Sequence, residues 1–170
     1  PPKSSDVHHE VEMAVMLGTG GRDIPVHKAL ECVFGYAASL DMTRRDLQGV
    51  QKKLGRPWEI GKAFEASAPI GPVHPVSLVG HLDSGAITLS VNGEVRQKSN
   101  TKHLIFNCYD IIEHLSTAFT LEPGDLILTG TPSGVGVVDD VFLKNGDIVK
   151  VSISEIGYIE NKIINEPFEG

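Results

Sequence analysis

Ile87-Thr88-Leu89-Ser90-Val91-Asn92-Gly93-Glu94-Val95-Arg96-Gln97 is the stretch on which the fold class turns. Ile87-Thr88-Leu89-Ser90-Val91 is read as its first strand. Asn92-Gly93 follows, and these two residues tolerate the positive φ values of a type I′ turn, so the chain is expected to double back as a β-hairpin through Gln97. Working outward, glycine is abundant and turn signals fall close together, which favours many short strands over a helix bundle. Downstream, Ile105, Tyr109, Ile112 and Phe119 keep helical spacing. Glu122-Pro123-Gly124-Asp125 then turns into a strand, Leu126-Ile127-Leu128. That strand runs into Thr129-Gly130-Thr131-Pro132 and the glycine-rich Ser133-Gly134-Val135-Gly136. Ile148-Val149-Lys150-Val151-Ser152-Ile153 alternates as another strand, with Tyr158 to Ile164 as its expected partner.

Upstream of the hairpin, Val11-Glu12-Met13-Ala14-Val15-Met16-Leu17 ends at Gly18 and is apolar on both faces after Glu12, as a buried strand requires. Glu10 and Glu12 precede or enter it. The spacing of Ala29, Leu30 and Val33 predicts a helix opening at Ile24-Pro25, with Pro25 in its first turn and an end near Gly35. From Phe34 to Met42 a helix and a strand fit equally well. A further helix is predicted over Arg44 to Leu54, where Leu47, Val50 and Leu54 form an apolar stripe opposite a basic face and Gly55 supplies the stop before Pro57.

The 170 residues suffice for one sizeable core and no linker or repeat divides them, so a single domain over 1–170 is expected. A net charge of −7, with no basic run longer than Arg44-Arg45 or Lys52-Lys53, argues against nucleic acid as a partner. Cys32 and Cys108 lie far apart without metal-knuckle spacing, so a reducing compartment is the default. No apolar stretch approaches the ~20 residues of a membrane helix, and a soluble, cytoplasmic protein is expected, the mitochondrial matrix being the alternative.

On an extended strand Glu10 and Glu12 point to one face, where two like charges call for a cation. Oxygen-only ligands suit Mg²⁺ or Mn²⁺, although Glu-x-Glu also occurs on plain solvated strand faces. Leu40-Asp41-Met42-Thr43-Arg44-Arg45-Asp46-Leu47-Gln48 puts an acid at an element junction. Taken alone it reads more simply as a helix start, with Asp41 or Thr43 as N-cap and Asp46 near the positive end of the dipole. Lys62 sits among small and apolar neighbours, Ile60-Gly61 and Ala63-Phe64, that would partly desolvate its ammonium and suit it to donate a proton or face an oxyanion. Thr129 to Gly136 offers backbone N–H groups and hydroxyls for a carboxylate, or is a wide glycine turn. His8 and His9 are adjacent, so at most one could serve a metal without distortion.

Five motifs, in order along nearly the whole chain, then come together. They are His-His-Glu-Val-Glu at 8–12, Leu-Asp-Met-Thr-x-Arg-Asp-x-Gln at 40–48, Lys-x-Phe at 62–64, Val-Asn-Gly-Glu-x-Arg-Gln at 91–97, and Glu-Pro-Gly-Asp-x-Ile-Leu-Thr-Gly-Thr-Pro-x-Gly-Val-Gly at 122–136. The set resembles the fumarylacetoacetate hydrolase superfamily, and within it the short acylpyruvase and oxaloacetate decarboxylase or tautomerase branch. The resemblance implies a mostly β (α+β) fold, a compact mixed-sheet β roll with a few short helices, in which 35–42 is strand. It implies a homodimer acting on a small 2-oxo acid. Glu10, Glu12 and Asp41 would hold Mg²⁺ or Mn²⁺; Arg45, Gln48 and Lys62 would be catalytic and face the substrate, and Thr131 would help seat its carboxylate. The expected chemistry is chelation of the 2-oxo acid and stabilisation of its enolate, serving acylpyruvate C–C hydrolysis, oxaloacetate decarboxylation or both. An isomerase or tautomerase of 2-oxo or 2-hydroxy-dienoic dioic acids, and a non-catalytic 2-oxo-acid binding module, are the alternatives. Members of this branch carry a further N-terminal lid segment whose His-x-x-Glu pair activates water. Nothing before Val7 supplies that pair, so the metal site is expected to be complete here and the water-activating machinery missing.

Overall fold

The computed structural model describes residues 4, 6–135 and 142–164. In chain order the elements are β1 (Val7–His8), β2 (Val11–Leu17), α1 (Val26–Ala29), β3 (Val33–Leu40), β4 (Thr43–Arg44), α2 (Arg45–Lys53), β5 (His74–Pro75), α3 (Val76–Val79), β6 (Ala86–Val91), β7 (Glu94–Asn100), α4 (Cys108–Ala118), β8 (Leu126–Leu128), β9 (Ile148–Ile153) and β10 (Gly157–Lys162). Two four-stranded sheets, ordered β10-β9-β6-β7 and β5-β3-β2-β8, are accompanied by a small separate β1-β4 pair, and the described strand pairs are antiparallel. The fold is thus mixed α+β and mostly strand, as expected.

The hairpin forms with Asn92 at φ +52° and Gly93 at φ +87°, both centre residues of the turn being left-handed. Its sheet buries one face. Ile87, Leu89 and Val91 from β6 join Val149, Val151 and Ile153 from β9 in a core shared with Val11, Met13, Val15 and Leu17 of β2. The residues between them on β6 and β9 are half-buried or exposed. On β2 the other side is buried too: Glu12 and Ala14 lie under cover as deep as their neighbours, which accounts for the unbroken apolar run.

Three expectations are corrected. The helix expected from Ile24 to Gly35 stops after one turn. Val26–Ala29 passes through a 3-10 turn, Leu30–Cys32, into β3, and Pro25 is the N-cap rather than a helical residue. Val33 keeps helical spacing but is the first residue of a strand, because pairing with β2 from Leu17 to Val11 outweighs a local preference worth a few tenths of a kcal/mol per residue. The helix over 45–53 exists, yet its apolar stripe does not face the core. Val50 and Leu54 are 53% and 56% exposed, and Gln48 is its buried residue. Finally, Ile105 and Phe119 lie outside α4, which starts at an Asn107–Asp110 capping box: Asp110 N–H donates to Asn107 Oδ1 (3.1 Å) and Asn107 N–H to Asp110 Oδ2 (3.3 Å).

Gly35 in β3 meets the β5 backbone so closely that an added Cβ would fall on the His74 carbonyl and against Val73 Cγ1. Gly35→Ala is therefore expected to cost about 1–3 kcal/mol through overpacking. Thermal unfolding reads this directly, and an unchanged Tm would contradict the close approach.

Candidate active site

The strand register assembles the carboxylates. Val11 pairs with Leu40 and Glu12 with Ser39, so continuing the ladder by one step sets Asp41 opposite Glu10, where Asp41 N–H donates to the Glu10 carbonyl at 2.9 Å. Glu10 and Glu12 share a face by the strand's two-residue period. The result is a cluster in which one carboxylate oxygen from each of Glu10, Glu12 and Asp41 lies within 4.8 Å of the others. Among the described residues it is the one group of His, Cys, Asp or Glu side chains gathered so closely. Asp41 is not a helix cap; Arg44 occupies the N-cap of α2 and no side chain caps it, while Asp46 in the first turn accepts from Leu47 N–H and Ser4 Oγ.

Two cations face this cluster from the next elements. Lys62 follows a 3-10 turn, Glu59–Gly61, that lies on α2 at a glycine: a Cβ on Gly61 would meet Gln48 Cβ at 2.7 Å. Arg44 holds the same segment from below, its guanidinium donating to the Ile60 carbonyl (Nε 3.1 Å, Nη2 2.5 Å) and lying 4.6 Å over the Phe64 ring. Lys62 Nζ is thereby delivered between Glu10 Oε2, at 2.7 Å, and Asp41 Oδ2, to which it also donates. Arg45 opens α2 with its fork fixed at three points: Nη2 to Glu10 Oε1 (2.5 Å), Nη1 to Gln48 Oε1 (2.7 Å) and Nε to His8 Nδ1 (3.2 Å). Gln48, accepting from Arg45, keeps its amide NH₂ as a donor.

The loop after β8 closes the remaining side. Gly130 N–H donates to Glu12 Oε2 at 2.7 Å, and the Thr131 hydroxyl accepts from Gln97 Nε2 at 2.8 Å. Residues 129–135 are thus a tethered loop, not a loose glycine turn; Gly136 lies outside the described residues. All seven residues expected from the sequence meet here: Glu10, Asp41, Arg45, Gln48 and Lys62 in one hydrogen-bonded and ion-paired network, Glu12 clustered with the other two carboxylates and tied to Gly130, and Thr131 next along that loop. A cavity of about 700 Å³ lies alongside and shares Gly130 and Thr131, but none of the carboxylates lines it. The charged groups converge at the carboxylates and not in this cavity.

Electrostatics set this cluster apart. Burial pushes the Glu12 carboxyl up to about 7, the negative Asp41 and Glu10 add to the shift, and the Gly130 N–H opposes it. Burial raises Asp41 as well, against the pull of Lys62. Glu12 is 4% exposed, and a carboxyl so placed is half-protonated near neutrality unless a cation holds it ionised. Three convergent carboxylates with oxygen donors only are what a hard divalent ion takes. The residues present therefore fit such an ion.

Gln97 joins the site without having been singled out for it, and His8, weighed from the sequence only as a metal ligand, meets Arg45 instead. His8 is buried between Arg45 and Asp6 (Nε2 to Oδ1 2.8 Å), with burial first and the positive Arg45 next lowering its pKa. His9, turned the other way, approaches the Gly134 carbonyl at 3.3 Å. Both are buried, and two adjacent histidines carry no signal for which one meets Arg45.

Two buried carboxylates and a half-buried one, facing a lysine and an arginine, form a site whose charges suit a hard cation. The chain belongs to the fumarylacetoacetate hydrolase family: the model of the Fumarylacetoacetate (FAA) hydrolase C-terminal domain matches residues 1–164. It is 42% identical over 154 residues to the mitochondrial oxaloacetate decarboxylase of Dictyostelium discoideum, covering 91% of this chain and 68% of that protein. It is 43% identical over 157 residues to a fumarylpyruvate hydrolase of a Ralstonia species, covering 91% and 81% respectively. Its fold overlays that of fumarylpyruvate hydrolase from Pseudomonas aeruginosa, solved in complex with Mn²⁺ and pyruvate, with a TM-score of 0.93 at 46% identity over 98% of this chain and 69% of that one.

Proposed function

We propose that this chain is a divalent-metal-dependent enzyme acting on small 2-oxo acids, by oxaloacetate decarboxylation or tautomerisation and by acylpyruvate C–C hydrolysis. The observation that carries the reading is the gathering of Glu10, Glu12 and Asp41 within 4.8 Å, faced by Lys62 and Arg45. Mg²⁺ or Mn²⁺ held by those three carboxylates would supply Lewis acidity toward the keto and carboxylate oxygens of the substrate. Counting that ion with the two side-chain cations, the site carries about +1 by formal charge, so an acidic chain still attracts an anion there.

The chain's own groups divide the remaining work. Arg45, locked by Glu10, Gln48 and His8, presents its unused N–H donors in one orientation, which spares the substrate the entropy of ordering it. Lys62 gives the site a mobile ammonium: released from Glu10 and Asp41, it is within reach of an oxyanion developing next to them and can return a proton to it. The Thr131 hydroxyl and the Gln48 amide donate to the substrate carboxylate. Decarboxylation and tautomerisation need oxyanion stabilisation and proton transfer alone, whereas hydrolysis also needs an activated water. The test is to assay the protein with Mn²⁺ on oxaloacetate and on fumarylpyruvate: turnover of either substrate is expected, and turnover of neither would overturn the enzymatic reading. The same reading carries a homodimer, for which sedimentation in solution is decisive; a monomer would remove that part alone.

A further inference from the structure

Gln97 lies on β7 opposite Leu89, on the buried face of its sheet, and is 1% exposed. An amide at such a position is costly unless its hydrogen-bonding capacity is used. It is used in full view of the site. Gln97 Oε1 accepts from Val11 N–H at 3.0 Å, the backbone donor between Glu10 and Glu12, while Nε2 donates to Thr131 Oγ1 and to the Pro132 carbonyl, each at 2.8 Å. The orientation is fixed by chemistry: Val11 N–H only donates and the Pro132 carbonyl only accepts, so the amide cannot be turned over. One side chain therefore spans from the strand that bears the carboxylates to the loop that bears Thr131.

The consequence falls on the Thr131 hydroxyl. A hydroxyl has one hydrogen to give and two lone pairs to receive. Because Gln97 supplies the hydrogen on its own side, the Thr131 O–H points elsewhere as a donor. We propose that Gln97 is a positioning residue, holding Thr131 Oγ1 as an acceptor from behind so that its hydrogen is kept for the carboxylate of a 2-oxo acid. This rests on the reading of Thr131 as a seat for that carboxylate. The loop has other attachments, Gly130 N–H to Glu12 and His9 to the Gly134 carbonyl, and Gly134 is pressed against the Arg96 carbonyl at φ +103°. Gln97 therefore aims Thr131 rather than holding the loop in place by itself.

The experiment measures Mn²⁺ binding, and pyruvate binding to the Mn²⁺-loaded protein, by calorimetry on the whole chain for wild type, Gln97→Met, Thr131→Val and the double variant. Each single change is expected to weaken pyruvate about tenfold, the double change no further, and Mn²⁺ affinity to stay within about twofold. Losses that multiply in the double variant, a Gln97→Met protein that binds pyruvate like wild type while Thr131→Val does not, or a parallel loss of Mn²⁺ affinity would each overturn the proposal. If Thr131→Val binds pyruvate as wild type does, the carboxylate seat itself is wrong and the proposal falls with it. Should Gln97→Met not fold, the side-chain amide signals of Gln97 in Mg²⁺-loaded wild type decide the matter by NMR. They are expected to shift when pyruvate is added and not to shift in Thr131→Val; no shift in wild type would overturn the assignment.

Discussion

Glu12→Gln is expected to lower Mn²⁺ affinity roughly a hundredfold or more, since it removes one of three anionic ligands from a site whose affinity follows ligand charge. Turnover should fall with it. The fold should survive, because the glutamine carbonyl can still accept from Gly130 N–H in the place of Oε2. The same variant tests the electrostatics. In wild type, burial holds the Glu12 carboxyl up at about 7, so below that pH the ion must displace a proton and its affinity should fall toward tenfold per pH unit, while above it the dependence should flatten. Glu12→Gln has no such proton to displace. Calorimetric titrations between pH 6 and 8 on both proteins read the two effects together, and equal Mn²⁺ affinities for wild type and variant would contradict the role of Glu12.

Lys62→Met is expected to separate binding from chemistry. Lys62 Nζ rests on Glu10 Oε2 and Asp41 Oδ2, on two of the carboxylates that would hold the ion, so its charge would compete with the metal. Removing it at pH 8 should leave Mn²⁺ affinity equal or higher. The rate should drop by about 10²–10³, the size of effect that loss of one preorganised oxyanion partner produces. Saturation kinetics on oxaloacetate, run beside Mn²⁺ titrations, would show a fall in kcat without a weaker metal. If metal affinity fell and kcat held, Lys62 would be a structural counter-ion to the carboxylates and nothing more.

How far the sequence reaches depends on whether the information is local. The hairpin at Asn92-Gly93 and the alternation over 148–153 are legible because turn stereochemistry and strand period act within a few residues. The end of the first helix is not, since Val33 fits a helix by spacing and becomes a strand only through pairing with Leu17 far upstream in the chain. Likewise Leu47, Val50 and Leu54 have the spacing of a core stripe, yet α2 turns Gln48 inward to reach Arg45 and Gly61. Site geometry tempered the local reading in the same way. Glu10 with Glu12 is visible as a period-2 pair, but Asp41 becomes their neighbour only when β2 and β3 register, and by itself it looked like a cap. The ordered motifs supplied the association that local patterning lacked. Gln97 shows the remaining limit: an amide in an alternating strand looks like a solvent-facing residue until the bulge between Leu89 and Ser90 turns it to the buried face.

The central claim is that Glu10, Glu12 and Asp41 together hold one divalent ion. Crystals grown with Mn²⁺ and examined by anomalous diffraction test it most directly. The account predicts a single strong peak bonded to an oxygen of each of the three carboxylates, with Lys62 moved off Glu10 and Asp41. A peak elsewhere, or one bonded to fewer than all three, would contradict it.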